Sequence, residues 1–299
     1  MPIQCSVIIP TYNRSDLLNM TLQSLTMQSI PADKFEVIVV DDGSSDDTEL
    51  VTRSYQEKID IKYFFQNDEG YRVAKARNTG ISNASSDICI FIDSGVILHS
   101  GCIAAHIEIH NRSNISTAVC GYVYGFNENN EDEQTIREYL KGSSYDLVID
   151  YFEGRKKFID IREEFYQKYT DDFGGLPAPW LVFWTCNASA RKSALVEISM
   201  FDEDFKSWGA EDIDLAYRLH VHGVKFVLER TAKSIHYPHH KSYQDNMNDA
   251  QKNYQYFSKK HEKRICSLVP GNHFFSINDI VLDNPEYYVE QLHNGYRYL

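Results

Sequence analysis

The chain has 299 residues, 42% of them hydrophobic, enough for one large domain or two small ones. Its net charge of −13, from 30 basic against 43 acidic residues, argues against binding a nucleic-acid backbone as the main task. The same charge disfavours an anionic membrane, except through a local basic patch.

The elements follow in chain order. Cys5 to Ile9 is an apolar run closed by Pro10, and Leu17, Leu18, Thr21, Leu22 and Leu25 recur at helical spacing. Next come the strand-like runs Val37–Val40 and Tyr63–Phe65, a helix around 71–83, and the apolar run Ile88–Ile92. Continuous apolar strands alternating with amphipathic helices predict an α/β, doubly wound, mostly parallel sheet covered on both faces. Ligands bind such sheets beyond the carboxyl ends of the strands. Residues 126–172 break the pattern, with a polar, acidic run from Asn127 to Glu133 and a charged helix at 155–169. Gly174 to Pro179 reads as a mobile connector, so 126–179 is expected to be an insertion or lid. Trp180–Trp184 resumes regular structure, followed by a helix at 190–198, an element from Trp208 to His222, and strands at 224–228 and 231–236. A C-terminal helical extension over 243–299 holds a helix at about 245–260, the basic run Lys259–Arg264 and a Tyr-rich tail. The basic run reads first as a solvated helix end, with an acidic acceptor or a membrane surface as the alternatives.

The cysteines (Cys5, Cys89, Cys102, Cys120, Cys186 and Cys266) show no CxxC and no metal spacing, and read as reduced core residues. No apolar run approaches the ~20 residues of a membrane span, and no signal-peptide pattern opens the chain. A cytoplasmic protein is expected, with peripheral contact at the inner face of a membrane left open.

Three clusters carry chemistry. Pro10-Thr11-Tyr12-Asn13-Arg14 ends the first strand, and Asp41-Asp42-Gly43-Ser44-Ser45-Asp46-Asp47-Thr48 ends the second. Their carboxylates suit a ribose or a base N–H, although Asp41 reads equally as a turn former and Asp46 or Asp47 as a helix N-cap. In Trp208-Gly209-Ala210-Glu211-Asp212-Ile213-Asp214-Leu215, two carboxylates meet an aromatic wall at a helix start. Such a place suits a base that takes a proton from a hydroxyl; an ordinary acidic helix start is the other reading. Asp214 reads as solvated or structural, and Ile213, Ala216, Tyr217 and His220 as a core face. Trp180, Trp184 and Trp208 suit stacking on a sugar or packing in the core, the latter especially for Trp184.

Ser-Val-Ile-Ile-Pro-Thr-Tyr-Asn-Arg, about thirty residues before Val-Ile-Val-Val-Asp-Asp-Gly-Ser-Ser-Asp-Asp-Thr, resembles the opening of the family 2 glycosyltransferases, which have the GT-A fold. Gly70-Tyr71-Arg72 with Ala76-Arg77-Asn78-Thr79-Gly80 looks like a third block of that family. Asn187-Ala188-Ser189 and Phe201-Asp202-Glu203 leading into Trp208–Asp212 look like an acceptor half, similar to chondroitin-polymerase-type and galactosyltransferase-type enzymes. The resemblance covers residues 5–100 and 180–240. It implies a nucleotide-sugar-binding half at 1–125 and an acceptor and catalytic half at 180–242 of one GT-A domain.

The resemblance also implies roles. Pro10, Thr11, Tyr12 and Asn13 would line the base and ribose pocket, and Asp42 would accept from the base, N3–H for uracil. Arg77 and Asn78 would lie near the sugar diphosphate, with Arg77 readable also as a structural ion pair. Asp93 and Ser94 would face the donor, and Trp180, Asn187 and Trp208 the acceptor. Asp212 would be the general base of an inverting transfer from a nucleotide sugar, a UDP-sugar first, to a hydroxyl of a carbohydrate or glycoconjugate; Glu211 would hold a sugar.

One motif departs from the family. Asp93-Ser94-Gly95 stands where the family has Asp-x-Asp or Asp-x-His, so the usual third-position metal ligand is missing. Three outcomes are open. Mn²⁺ or Mg²⁺ would be held by Asp93, His236 and the diphosphate; or Arg77, Lys241 or histidines would act without metal; or the chain would be a weakly active or non-catalytic sugar-nucleotide-binding protein. His236 is the best match to a metal-binding histidine, whereas His239 and His240 read as surface residues beside a proline turn.

Overall fold

The structure is a computed structural model that describes residues 2–126, 132–239 and 242–287. The run 127–131, His240, Lys241 and the tail 288–299 lie outside the described residues.

The chain order is β1 (Cys5–Thr11), α1 (Ser15–Leu25), β2 (Phe35–Asp41), α2 (Thr48–Arg53), β3 (Asp60–Phe65), α3 (Val73–Asn83), β4 (Ile88–Ile92), β5 (Val96–Leu98), α4 (Cys102–Arg112) and β6 (Thr117–Tyr124). Then come α5 (Glu133–Leu140), α6 (Tyr145–Arg155), α7 (Glu163–Tyr169), β7 (Asn187–Arg191), α8 (Lys192–Glu197), α9 (Glu211–Val221), β8 (Lys225–His236), α10 (Tyr243–His261), α11 (Arg264–Ser267) and α12 (Phe274–Asp283). The strands form one sheet in the order β3-β2-β1-β4-β7-β6-β8-β5. The first four are mutually parallel, and β7 enters antiparallel between β4 and β6.

Strands β1, β2 and β4 are buried throughout because both faces are covered. Side chains alternate across a strand. Ile8, Ile38, Val40 and Phe91 therefore join one core, while Val7, Ile9, Val37, Val39 and Ile90 join the other. Pro10 sits in this buried sheet at no cost in hydrogen bonds. It lies beyond Ile8↔Phe91, the last pair between β1 and β4, so its missing N–H faces no acceptor on that side. Successive strands run outward from β1 through β2 to β3, and β4 then returns to the other side of β1. That reversal opens a crevice at the carboxyl ends of β1 and β4. All six cysteines are buried free thiols.

Several segments differ from the sequence expectation. The strands at 224–228 and 231–236 are one strand, β8. Its register against β6 jumps from Gly121↔Glu229 to Tyr122↔Lys233, so a bulge mimics a break. Trp180 and its neighbours form a buried 3₁₀ turn, Pro179–Val182. The helix expected at 190–198 begins at Lys192, because residues 187–191 belong to β7. The charged helix at 155–169 is shorter, since Lys156 turns left-handed at φ 51° and ends α6 before α7 begins.

Residues 132–173 are packed into the main core through Ile136, Leu140, Val148, Ile149, Phe152, Phe165, Tyr166 and Phe173. Arg162 pins this segment. Fully buried, it pairs with Asp160 (2.7 Å) and donates to the carbonyls of Val182 and Gly121 (both 2.9 Å). The connector Gly174–Pro179 is held too: Asn278 of α12 receives the Ala178 N–H (2.8 Å) and donates to the Ala178 carbonyl (3.1 Å). Among the described residues no helix is long and apolar enough to cross a membrane.

A polar strap fastens α4 to the sheet. His106 bridges Ser189 and Asn187 (2.9 Å each), and His110 bonds Ser189 (2.9 Å). Burial keeps both imidazoles neutral, lowering their pKa values to about 4 and about 3. An unfolded chain titrates them near ~6.5. This contribution to stability is therefore complete above pH ~6.5 and is lost as pH falls from there towards 4, because only the unfolded state takes up the protons. The melting temperature is expected to drop on acidification across that window. Scanning calorimetry of His110→Asn should show a shallower drop than the native chain; parallel curves would refute the linkage.

Candidate functional site

The two nucleotide-type loops are laced together at the ends of β1 and β2. Asp42 N donates to the Thr11 carbonyl (2.9 Å), extending the ladder one residue beyond the strands. Asn13, left-handed at φ 48°, accepts from Ser45 N (2.8 Å), and its own N–H donates to Ser44 Oγ (2.7 Å). Asp46 accepts from Ser15 N (2.9 Å) at the start of α1 and from Thr48 Oγ1 (2.5 Å) at the start of α2. Asp41 is a turn former: one oxygen takes the Gly43 and Ser44 N–H groups, and the other takes the Tyr63 hydroxyl (2.7 Å).

Asp42 differs from Asp41 in its partners, which come from the β3–α3 loop. Gln66 Nε2 (2.5 Å) and Arg72 N (2.8 Å) orient its carboxylate, and burial raises its pKa despite these donors. Beside it Tyr12 is 44% exposed, its hydroxyl donating to Asp68 (2.9 Å). Gly43 is a required glycine. Its φ is +97°, and a Cβ there would lie 2.4 Å from Asp68 N, so the β3–α3 loop closes directly over the β2 turn. Thr11 Oγ1 is buried without a partner. These groups form a pocket with an exposed aromatic ring and a pre-aimed carboxylate, suited to a planar base. Gln66 and Asp68 escaped the sequence reading because polar residues in a loop carry no periodic signal.

The second part of the site joins three elements. Arg77 of α3 is buried and donates to Asp93 at the end of β4 (2.9 Å) and to Glu211 at the start of α9 (2.9 Å). Burial opposes its charge, but the two carboxylates outweigh that and hold its pKa above the ordinary arginine value. Glu211 Oε2 is buried with no partner, an acceptor left for an incoming hydroxyl. Asp212 follows, with one oxygen on the N–H of Ile213 (2.8 Å). Its pKa is pushed up to about 7, first by desolvation and then by Glu211, with Arg77 pulling the other way. Tyr71 stands close to the same charges. Its ring is 38% exposed, but desolvation of the hydroxyl and the negative charge of Glu211 raise its pKa well above that of a free tyrosine.

Gly209 and Ala210 enter α9 through consecutive positive φ angles, +95° and +72°. That turn leaves Trp208 39% exposed beside the carboxylates. Ile213, Ala216, Tyr217 and His220 form the buried face of α9, as their spacing predicts. Asp214 is structural: Arg218, Lys260 and His261 surround it and lower its pKa to about 2 against the effect of burial.

Several expected site residues serve elsewhere. Trp180 is wholly buried against Tyr217 and Phe257, so it cannot reach an acceptor. Asn187 is wholly buried and strapped to His106, the Ala232 carbonyl and Ser234. The Asn78 amide is consumed by the backbone of Phe201 (2.9 Å both ways) and by Glu203 (2.9 Å). Within the basic run Lys260 and His261 are half-buried and pair with Asp214, while Lys259 and Arg264 are exposed.

Ser94 is buried in the turn after Asp93. Gly95 has φ +98°, and a Cβ there would touch Leu17 of α1 at 3.5 Å. Its N–H donates to Thr21 Oγ1 (2.9 Å), and its carbonyl accepts from Tyr237 N (2.8 Å). His236 lies on β8 directly across from Val96, its ring against Phe126 and His239. Among the described residues no group of three or more His, Cys, Asp or Glu side chains is arranged to hold a metal ion. Asp93 lies three residues before Val96, the strand partner of His236, and one oxygen of Asp93 is already on Arg77.

Comparison with known proteins agrees with this geometry. The model of glycosyl transferase family 2 matches residues 6–197, and that of the N-terminal domain of galactosyltransferase matches residues 171–241. Validoxylamine A glucosyltransferase of Streptomyces hygroscopicus subsp. jinggangensis is 38% identical over 266 residues, covering 88% of this chain and 62% of the relative. Chondroitin synthase of Pasteurella multocida is 31% identical over 229 residues, covering 75% of this chain and 24% of the relative. The chain thus spans less than two thirds of the length of either relative. Staphylococcus aureus TarS 1–349, solved in complex with UDP-GlcNAc, superposes with a TM-score of 0.61 over 98% of this chain and 80% of that one, at 18% identity. The chain has the GT-A fold and belongs to glycosyl transferase family 2.

Proposed function

We propose that the chain transfers a sugar with inversion from a nucleotide sugar, a UDP-sugar first, to a hydroxyl of a carbohydrate or glycoconjugate, with Asp212 as general base. The carrying observation is the Asp212 carboxyl at the start of α9, raised to about 7 and adjoining the Arg77–Asp93–Glu211 cluster. A base poised near neutral pH matches its task. The acceptor O–H gives its proton to Asp212 while its oxygen bonds to the anomeric carbon. The bond from that carbon to the diphosphate breaks with its electron pair on the departing oxygen, and a nucleoside diphosphate leaves. Tyr12 and Asp42 fit the base, and the unpartnered Oε2 of Glu211 fits a sugar hydroxyl. Trp208 offers an apolar face to the acceptor. The name of the glucosyltransferase relative puts glucose first among the donor sugars to try.

The charge balance favours a divalent cation over a metal-free site. Arg77 is already matched by Asp93 and Glu211, which leaves that trio at −1 before a diphosphate arrives. Asp93 and His236 would hold Mn²⁺ or Mg²⁺, with diphosphate and water completing the oxygen-rich shell these ions prefer. The cation would offset the charge that builds on the leaving oxygen. The glycine at position 95 motivates a second reading, a chain that binds sugar nucleotides without turning them over.

Nucleotide release from UDP-, GDP- and dTDP-sugars, each with Mn²⁺, Mg²⁺ or EDTA, separates these readings. Turnover with a UDP-sugar that EDTA abolishes and Mn²⁺ or Mg²⁺ restores is expected; silence with every donor and metal supports the binding-only reading. Asp212→Asn should lower turnover by about 10²- to 10⁴-fold, while calorimetry still detects UDP binding. Retained turnover in that variant removes Asp212 as the base. The rate should rise with pH through about 7 as Asp212 loses its proton. Because Arg77 favours the charged form of Asp212, Arg77→Gln should move this limb upward by about 1 pH unit, and an unmoved limb would show that the two are not coupled.

A further inference from the structure

We propose that α10, the helix after the last strand, braces the turn that carries the base, and that Asn253 is its positioning residue. This rests on the reading of Asp212 as the base.

The turn requires an external hold. Ala210 is left-handed, a conformation that costs a residue with a Cβ, and it directly follows a left-handed glycine. A strained pair of this kind persists only where surrounding groups over-determine it. Asn253 provides the hold: its amide nitrogen lies 3.1, 3.2 and 2.8 Å from the carbonyls of Ser207, Trp208 and Gly209, the three residues ahead of Ala210. The carbonyls of one tight turn thus converge on a single side-chain donor from another element. Packing agrees with the hydrogen bonds. A Cβ at position 209 would lie 3.3 Å from the Cβ of Ala250, so one face of α10 is seated on the glycine.

The same helix grips both flanks of the turn. Downstream, Lys260 and His261 each bond Asp214 at 2.7 Å, two residues past Asp212. Upstream, Lys260 (2.6 Å) and Tyr256 (3.0 Å) both bond Asp202. The His261 ring packs against Tyr217 of α9 and Phe257 of α10. Asn253, Tyr256, Lys260 and His261 lie three, four and one residues apart, which places them along one side of a helix. Among the described residues, the hydrogen bonds of this set run to 202–214 rather than to Tyr12 or Asp42. The helix therefore governs where the base stands, independently of how the nucleotide is held.

The test is Asn253→Ala, with Asn253→Ser, which keeps one donor, as the second variant should Ala prove too unstable. Amide hydrogen exchange is read by mass spectrometry without substrate. Faster exchange over 205–214, with the 41–48 loop unchanged, is expected. Turnover of the donor found by the screen should fall about 10- to 100-fold in kcat, the scale of a misplaced catalytic group, with UDP affinity unchanged and with Ser intermediate. A purely stabilising helix would instead raise exchange everywhere and lower kcat only in step with the folded fraction. That result, or native exchange over 205–214, overturns the brace. Asp212→Asn runs in parallel: if it turns over, the base assignment fails, whereas if it is inactive and Asn253→Ala has native kcat, only the brace fails.

Discussion

A buried arginine with carboxylates on two sides is expensive to assemble and strongly directional once assembled. Arg77 loses its hydration and recovers it only if Asp93 and Glu211 arrive together. Those partners come from the end of β4 and the start of α9, so one guanidinium fixes the carboxyl end of the sheet to the helix that follows the Trp208 turn. It also sets the electrostatic field around Asp212, which Glu211 pushes towards protonation and Arg77 pulls back. Removing any member would leave a buried charge uncompensated, so the three side chains act as one object.

The loops at the carboxyl ends of β1 and β2 are built on a different principle. They are joined by many short polar contacts, Asn13 to Ser44 and Ser45, Asp46 to Ser15 and Thr48, and Asp41 to its own turn. The pocket is therefore shaped before any ligand enters, and the ordering entropy is spent in folding instead of in binding.

Much of this was legible in the amino-acid sequence. Continuous β-branched runs report a sheet buried on both faces, and the carboxyl ends of β1, β2 and β4 announce the ligand side. The order of the motifs leads to the family, and the structure brings Arg77, Asp93 and Glu211 into contact, with Asp212 next to them in the chain. What failed did so for identifiable reasons. Trp180 and Asn187 stand in short apolar or polar stretches whose neighbours come from distant chain segments, so their burial could not be read locally. Asn78 has the chemistry of a ligand contact but finds its partners 123 and 125 residues away. The bulge in β8 interrupts the strand period and imitates two strands. Two members of the basic run, Lys260 and His261, turn inward because their acidic partner, Asp214, belongs to another helix.

The family matches end at residue 241, and α10 begins at Tyr243. The outline drawn by the family models thus stops just short of the helix that touches the turn ahead of Glu211. A recombinant protein trimmed to that outline would retain every motif of the family and would lose Asn253, Tyr256, Lys260 and His261 together. Boundaries drawn from the family models are shorter than the likeness to the glucosyltransferase relative, which covers 88% of this chain and so takes in α10.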